Sequence, residues 1–147
     1  MFVKRRQMRM LEVIKCTSKD YGKLVELKKQ LSQDEQDVYP LRDAELEASI
    51  KRYLSSGYQA VLFVERKNIV GYALVKMNVY PYCLREFFIR REYRKKAYGK
   101  ECFSRLLDYL RTNTINVDTA SKTHMRLGFW KSLGFKPGSI IPARGRN

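Results

Sequence analysis

The stretch Glu86-Phe87-Phe88-Ile89-Arg90-Arg91-Glu92-Tyr93-Arg94-Lys95-Lys96-Ala97-Tyr98-Gly99-Lys100 reads as a strand, a basic loop and the start of a helix in immediate succession. The apolar run at 83–90 carries the strand signal. The helix expected over 97–111 turns Phe103, Leu106, Leu107 and Leu110 to one side. Small residues at 97 and 99 bracket the helix start. The first N–H groups of a helix lack intrahelical partners and stand at the positive end of its dipole, so small residues there let an anion approach closely. Arg94, Lys95, Lys96 and Lys100 add positive charge around the same point. Taken alone, the segment is more often a solvated basic loop than a phosphate site.

Upstream, residues 10–16 read as a first strand. Ser18 is placed to cap a helix carrying Leu24, Leu27 and Leu31. Pro40 interrupts, and a second amphipathic helix over 41–55 presents Leu46, Ile50, Tyr53 and Leu54 before Gly57 ends it. YQAVLFVE (58–65) and IVGYALVKMNVY (69–80) form an expected antiparallel hairpin, apolar on both faces as for strands covered by helices on each side. Downstream, a short strand over 114–117 precedes a last helix over 122–133 that stops at Gly134, and 139–141 reads as a final strand. The string β-α-α-β-β-β-α-β-α-β contains no repeat, linker or low-complexity segment. It describes one α/β domain over 1–147, with frayed ends at 1–9 and 143–147.

Composition narrows the function. The 147 residues carry 30 Lys and Arg against 15 Asp and Glu, a net charge of +15, so an anionic partner is expected. Apolar runs are too short to span a membrane, and no apolar signal core follows the basic start, so a cytoplasmic chain is expected. Cys16, Cys83 and Cys102 have no CxxC pair and lie in apolar stretches. They read as reduced, buried thiols, with neither a disulfide framework nor a metal site. The single histidine, His124, has no neighbouring Ser, Cys or carboxylate to suggest a hydrolase triad. Basic runs at 4–9, 90–100 and 144–146, with Tyr93 and Tyr98 available for stacking on bases, keep a nucleic-acid or ribosome-binding module as an alternative.

The segment Arg94-Lys95-Lys96-Ala97-Tyr98-Gly99 resembles the cofactor loop of the GNAT superfamily of N-acetyltransferases: Arg or Gln, two residues, Gly, one residue, Gly or Ala. Ala97 departs from the usual glycine. A second landmark is THMRLGFWKSLGF (123–135), similar to the last helix of the family. There Thr123 stands for asparagine, Arg126 for alanine and Trp130 for the usual tyrosine; Glu-Phe-Phe on strand four and Phe-Trp here are similar to one branch. The resemblance implies a mixed, mostly antiparallel sheet flanked by helices on both faces. It also implies acetyl-CoA as acyl donor and no metal.

The implied reaction is direct attack of a primary amine on the thioester in a ternary complex. Glu86 is the candidate proton acceptor, the other reading being a salt bridge to an arginine or a structural hydrogen bond in the strand. Tyr82, with Tyr80, is a candidate for the missing phenol, since an indole N–H gives up no proton as a phenol does. Main-chain N–H groups of Phe88 and Ile89 would polarise the thioester carbonyl where strands four and five splay. Residues 94–100, Tyr98 and Gly99 included, would hold the pyrophosphate. Trp130 either packs against the cofactor or fills the core. The acceptor is a small molecule or a protein amine, with nucleic acid not favoured. A partner subunit forming a homodimer would cover an incomplete sheet edge. A GNAT fold that binds acyl-CoA without catalysis remains the third reading.

Overall fold

The computed structural model describes residues 10–34, 41–123, 127–134 and 140–142. The two basic ends, Pro40, His124, Arg126 and Phe135 lie outside the described residues. Six strands form one sheet in chain order: β1 (Leu11–Lys15), β2 (Tyr58–Glu65), β3 (Asn68–Lys76), β4 (Cys83–Ile89), β5 (Thr114–Thr123) and β6 (Ile140–Pro142). All neighbours are antiparallel except β4 and β5, which run parallel across the crossover helix α3 (Tyr98–Leu110). Helices α1 (Tyr21–Asp34) and α2 (Asp43–Ser55) precede the hairpin, and α4 (Leu127–Ser132) precedes β6. The mixed sheet and its element order agree with expectation.

Helices cover both faces because β2 and β3 bury residues of both parities. On one face Val61, Phe63, Ala73 and Val75 meet Phe103, Leu106 and Leu107 of α3, with Trp130 of α4. On the other, Ala60, Leu62, Tyr72 and Leu74 meet Leu24, Leu27 and Leu31 of α1 and Leu46 and Ile50 of α2. Each fully buried aliphatic or aromatic side chain contributes about 1.5–3 kcal/mol through removal from water.

Two boundaries differ from the sequence reading. The cap before α1 is Thr17, not Ser18. The Thr17 hydroxyl accepts from Lys19 N, and Asp20 accepts from Thr17 N at 2.9 Å, opening a 3₁₀ turn (Ser18–Asp20) that runs into α1. Strand β5 runs on to Thr123, so Lys122 and Thr123 are extended and the described part of the last helix begins at Leu127. The β-branched residues at 114, 115, 117, 119 and 123 favour a strand, and sheet pairing keeps that state through 123.

Strand β4 carries a bulge that decides which side chains share a face. Val75 pairs with Leu84 and Leu74 with Glu86, leaving Arg85 as the extra residue. Leu84, Phe87 and Ile89 therefore face α3, while Glu86 and Phe88 face α1 and α2. The neighbouring ladder is disturbed at the same place. While β4 advances from Leu84 to Glu86, β5 advances from Val117 to Lys122. On the β3 side the backbones approach closely at Gly71, where a Cβ would lie 2.0 Å from the Phe88 carbonyl oxygen.

Candidate active site

Glu86 is 2% exposed and does not stand alone. Lys28, on α1, donates from Nζ to both carboxylate oxygens at 2.9 Å, and the Tyr72 hydroxyl of β3 donates to Oε1. The Lys28 ammonium also lies 5.7 Å from the centroid of the Tyr53 ring. The structural partner foreseen for Glu86 is thus a lysine and a tyrosine, not an arginine. A lone buried carboxylate would be strongly unfavourable; a counter-charge and a hydroxyl on its oxygens offset that cost. The pair floors a cavity of about 110 Å³ between α1, α2 and β4, walled by Leu31, Leu41, Leu46 and Tyr53, with Ser32 and Ser49 at its sides.

A second cavity, of about 320 Å³, lies along the other flank of α1 and reaches Phe88, Arg91 and Arg94. Here Asp34 accepts from Arg91 at 2.8 Å and from Arg94. Burial acts to raise the Asp34 carboxyl, but the hydrogen bonds and charges of Arg94 and Arg91 outweigh it and hold the group below the usual carboxylate range. Arg94 further donates from Nε to the Ile89 carbonyl at 2.8 Å and lies over the Phe88 ring at 5.2 Å. Its guanidinium is turned toward α1, so it braces the loop from behind. Lys95, Lys96 and Lys100 are the exposed cations at the α3 entrance.

That entrance has an unusual backbone. Ala97, the N-cap of α3, has φ 64° and ψ 11°, and Lys95 has φ 62°. Left-handed backbone costs an alanine roughly 1 kcal/mol that glycine does not incur. The first α-helical hydrogen bond runs from Glu101 N to the Ala97 carbonyl, so the amides of residues 98–100 precede it. The residues at hand therefore suit a phosphate group: amides at a helix start, a small N-cap and lysines around it.

Other expected residues fall elsewhere. Tyr98 is buried, donates to Glu65 Oε1 at 2.5 Å and meets Tyr93 edge-to-face at 5.2 Å, so the two rings are used in packing instead of presenting a stack to bases. Trp130 is 6% exposed and packed against Phe87, Phe103 and Phe129 at 5.8, 5.6 and 4.9 Å, a core position. Tyr82 packs on the α3 side, opposite to Glu86, so the two expected catalytic side chains are not brought together. Tyr80 bonds Thr112 at 2.9 Å. Phe88 and Ile89 lie beyond the last β4–β5 pair, Phe87 with Thr123. Gly99 lies in the first turn of α3.

The sequence reading missed Lys28, Asp34 and Tyr72. Lys28 sits inside the Leu24-Leu27-Leu31 stripe of α1, where a charged residue signals a buried counter-charge, and Asp34 continues that stripe one turn on.

Residues 27–139 match the acetyltransferase (GNAT) domain. The chain belongs to the GNAT acetyltransferases. Solved members share the fold. A predicted acetyltransferase of Clostridium acetobutylicum, crystallised with acetyl-CoA, is 19% identical, with 86% of this chain and 90% of that one covered at a TM-score of 0.64. A GNAT family acetyltransferase of Staphylococcus aureus is 22% identical over 76% of this chain and 87% of its own, at 0.59. The ribosomal-protein-S18-alanine N-acetyltransferase of Escherichia coli is 14% identical over 88% and 80%, at 0.61. No curated protein matches the chain in sequence. For a GNAT domain, the described residues hold no helix long and apolar enough to cross a membrane.

Proposed function

We propose that this GNAT protein transfers an acetyl group from acetyl-CoA to a primary amine by direct attack. The observation that carries the reading is the backbone at residue 97. The loop holds the left-handed turn that a glycine would favour, at the family's glycine position, although the residue is alanine. Strain of that kind persists only where surrounding structure requires the conformation.

In this reading the helix-start amides and Lys95, Lys96 and Lys100 bind the pyrophosphate, and Arg94 acts indirectly, holding the loop against β4 and Asp34. The bound thioester supplies the electrophile. Glu86 takes the proton that an ammonium must lose before its nitrogen has a lone pair to offer, directly or through water. Tyr72 keeps one of its oxygens oriented, and the cavity beside it gives the proton a path onward to water. The reading of Tyr82 as general acid is set aside in favour of water or Tyr72, because its side chain belongs to the other face.

Thermal unfolding with acetyl-CoA tests the donor. At a hundred times Kd, a ligand that binds only the native state adds about 2.7 kcal/mol, a rise of about 5–10 °C in Tm for a chain of this size. An unchanged Tm at millimolar acetyl-CoA overturns the assignment. Glu86→Gln is expected to lower kcat about 100-fold in a thiol-release assay while keeping the acetyl-CoA shift.

A further inference from the structure

Outside the acceptor chemistry proposed above, the molecule contains a primary amine of its own that already meets that chemistry's requirement. Lys28 Nζ lies 2.9 Å from each oxygen of Glu86. Its side chain is 10% exposed, and both groups line the cavity between α1, α2 and β4. Glu86 and Phe88 share one face of β4 two residues apart, about 7 Å along the strand, and Phe88 also lines the neighbouring cavity that reaches the basic loop. An ammonium on a flexible four-carbon stem, seated on the carboxylate assigned to proton removal, is in the position an acceptor amine would occupy.

We infer that Lys28 is an internal acceptor: the protein acetylates Lys28 from acetyl-CoA in cis, and the modification marks and disables its own site. The inference rests on the proposed roles of Glu86 and acetyl-CoA. The chemistry balances. The Lys28 ammonium gives one proton to Glu86, which passes it to water. The nitrogen lone pair bonds to the acetyl carbon, and the carbon–sulfur bond breaks with its electron pair on sulfur. The second nitrogen proton ends on that sulfur, giving N-acetyl-Lys28, free CoA thiol and one released proton. No oxidant or further reactant is needed.

The modification has a built-in consequence. The amide that replaces the ammonium carries no charge, so Glu86 keeps its Tyr72 hydrogen bond but loses its counter-ion in a buried place. An incoming amine no longer competes with Lys28 for the carboxylate, yet it meets an acetyl group in the cavity. Self-acetylated molecules should therefore be less stable and slower than unmodified ones. Lys23 and Lys29, on the same helix with side chains 57% and 39% exposed, serve as internal references, because adventitious acetylation by a thioester follows exposure.

The experiment is a time course of the full chain with acetyl-CoA and no added acceptor, read by intact mass and peptide mapping, with thermal unfolding alongside. The expected result is one acetyl group per chain, at Lys28 ahead of Lys23 and Lys29. Its rate constant should not change over a tenfold range of protein concentration and should fall at least tenfold in Glu86→Gln. Lys28→Arg, which keeps the charge on Glu86, should take up no acetyl group at that position. An acetyl-CoA-induced rise in Tm with Lys28 unmodified, or with Lys23 and Lys29 modified first, overturns this inference and leaves the proposed function standing. Absence of any acetyl-CoA-induced rise in Lys28→Arg, where no modification at that position can offset it, overturns both.

Discussion

Ala97 compresses the residue-scale argument into one dihedral angle. Its φ of 64° lies where a Cβ crowds the following carbonyl, and it sits at the N-cap of α3, where amides are exposed. Replacing it with glycine removes the clash but loosens the unfolded chain, two effects of opposite sign. The clash is the larger, so Ala97→Gly is expected to raise stability by about 0.5 kcal/mol and to leave or improve acetyl-CoA affinity. Urea unfolding and calorimetric titration check both halves. A loss of stability would mean that the turn is formed by neighbouring contacts that need the methyl group. The cysteines belong to the same scale: burial, followed by the charge of Asp20, pushes the Cys16 thiol up to about 12, and Cys102 is buried too, so neither is suited to nucleophilic chemistry.

Among elements, the bracing of the basic loop by α1 is the arrangement with a pH signature. Asp34, at the last position of α1, ties Arg91 and Arg94 to the helix. Its folded value is depressed, so the stabilisation is present above the unfolded value of about 3.9 and is lost as pH falls through the folded value. Asp34→Asn should cost about 1 kcal/mol at neutral pH, discounted for the exposure of Arg91. The gap from the native chain should close below about pH 4 in a series of Tm measurements. A constant gap down to pH 2.5 would assign the loss to packing instead. The elements themselves are legible because the 3.6 periodicity is strong in α2 and α3, and because β2 and β3 are short continuous apolar, β-branched runs bounded by turn residues. The bulge was not. Strict alternation along β4 puts Leu84, Glu86 and Phe88 on one face, whereas the extra residue Arg85 sends Leu84 to the other. Lys28 is hidden for a related reason: the leucines alone define the helix stripe, and Glu86, its partner, is 58 residues distant. The R-K-K-A-Y-G loop was visible because its chemistry is local. The inward turn of Arg94 depends on Asp34, which only the fold brings near.

At the scale of the whole molecule, +15 over 147 residues creates a long-range field that acts on any polyanion. Screening length falls from about 10 Å at 0.1 M salt to about 3 Å at 1 M. Acetyl-CoA affinity should therefore drop several-fold over that range, while acetyl-pantetheine, which has the thioester but no phosphates, should bind with little salt dependence. Equal slopes for the two ligands would remove the basic loop from cofactor binding. The field also bears on acceptor choice, since it repels polycations at long range and draws in acidic bodies that carry an amine.

Gly71 lines neither cavity, carries no charge and makes no side-chain bond, yet every other amino acid would place a carbon 2.0 Å from the oxygen of Phe88. The hereditary footprint of the candidate site thus extends one strand past its walls. A survey confined to residues that touch ligand would overlook a place where drift in the gene is poorly tolerated.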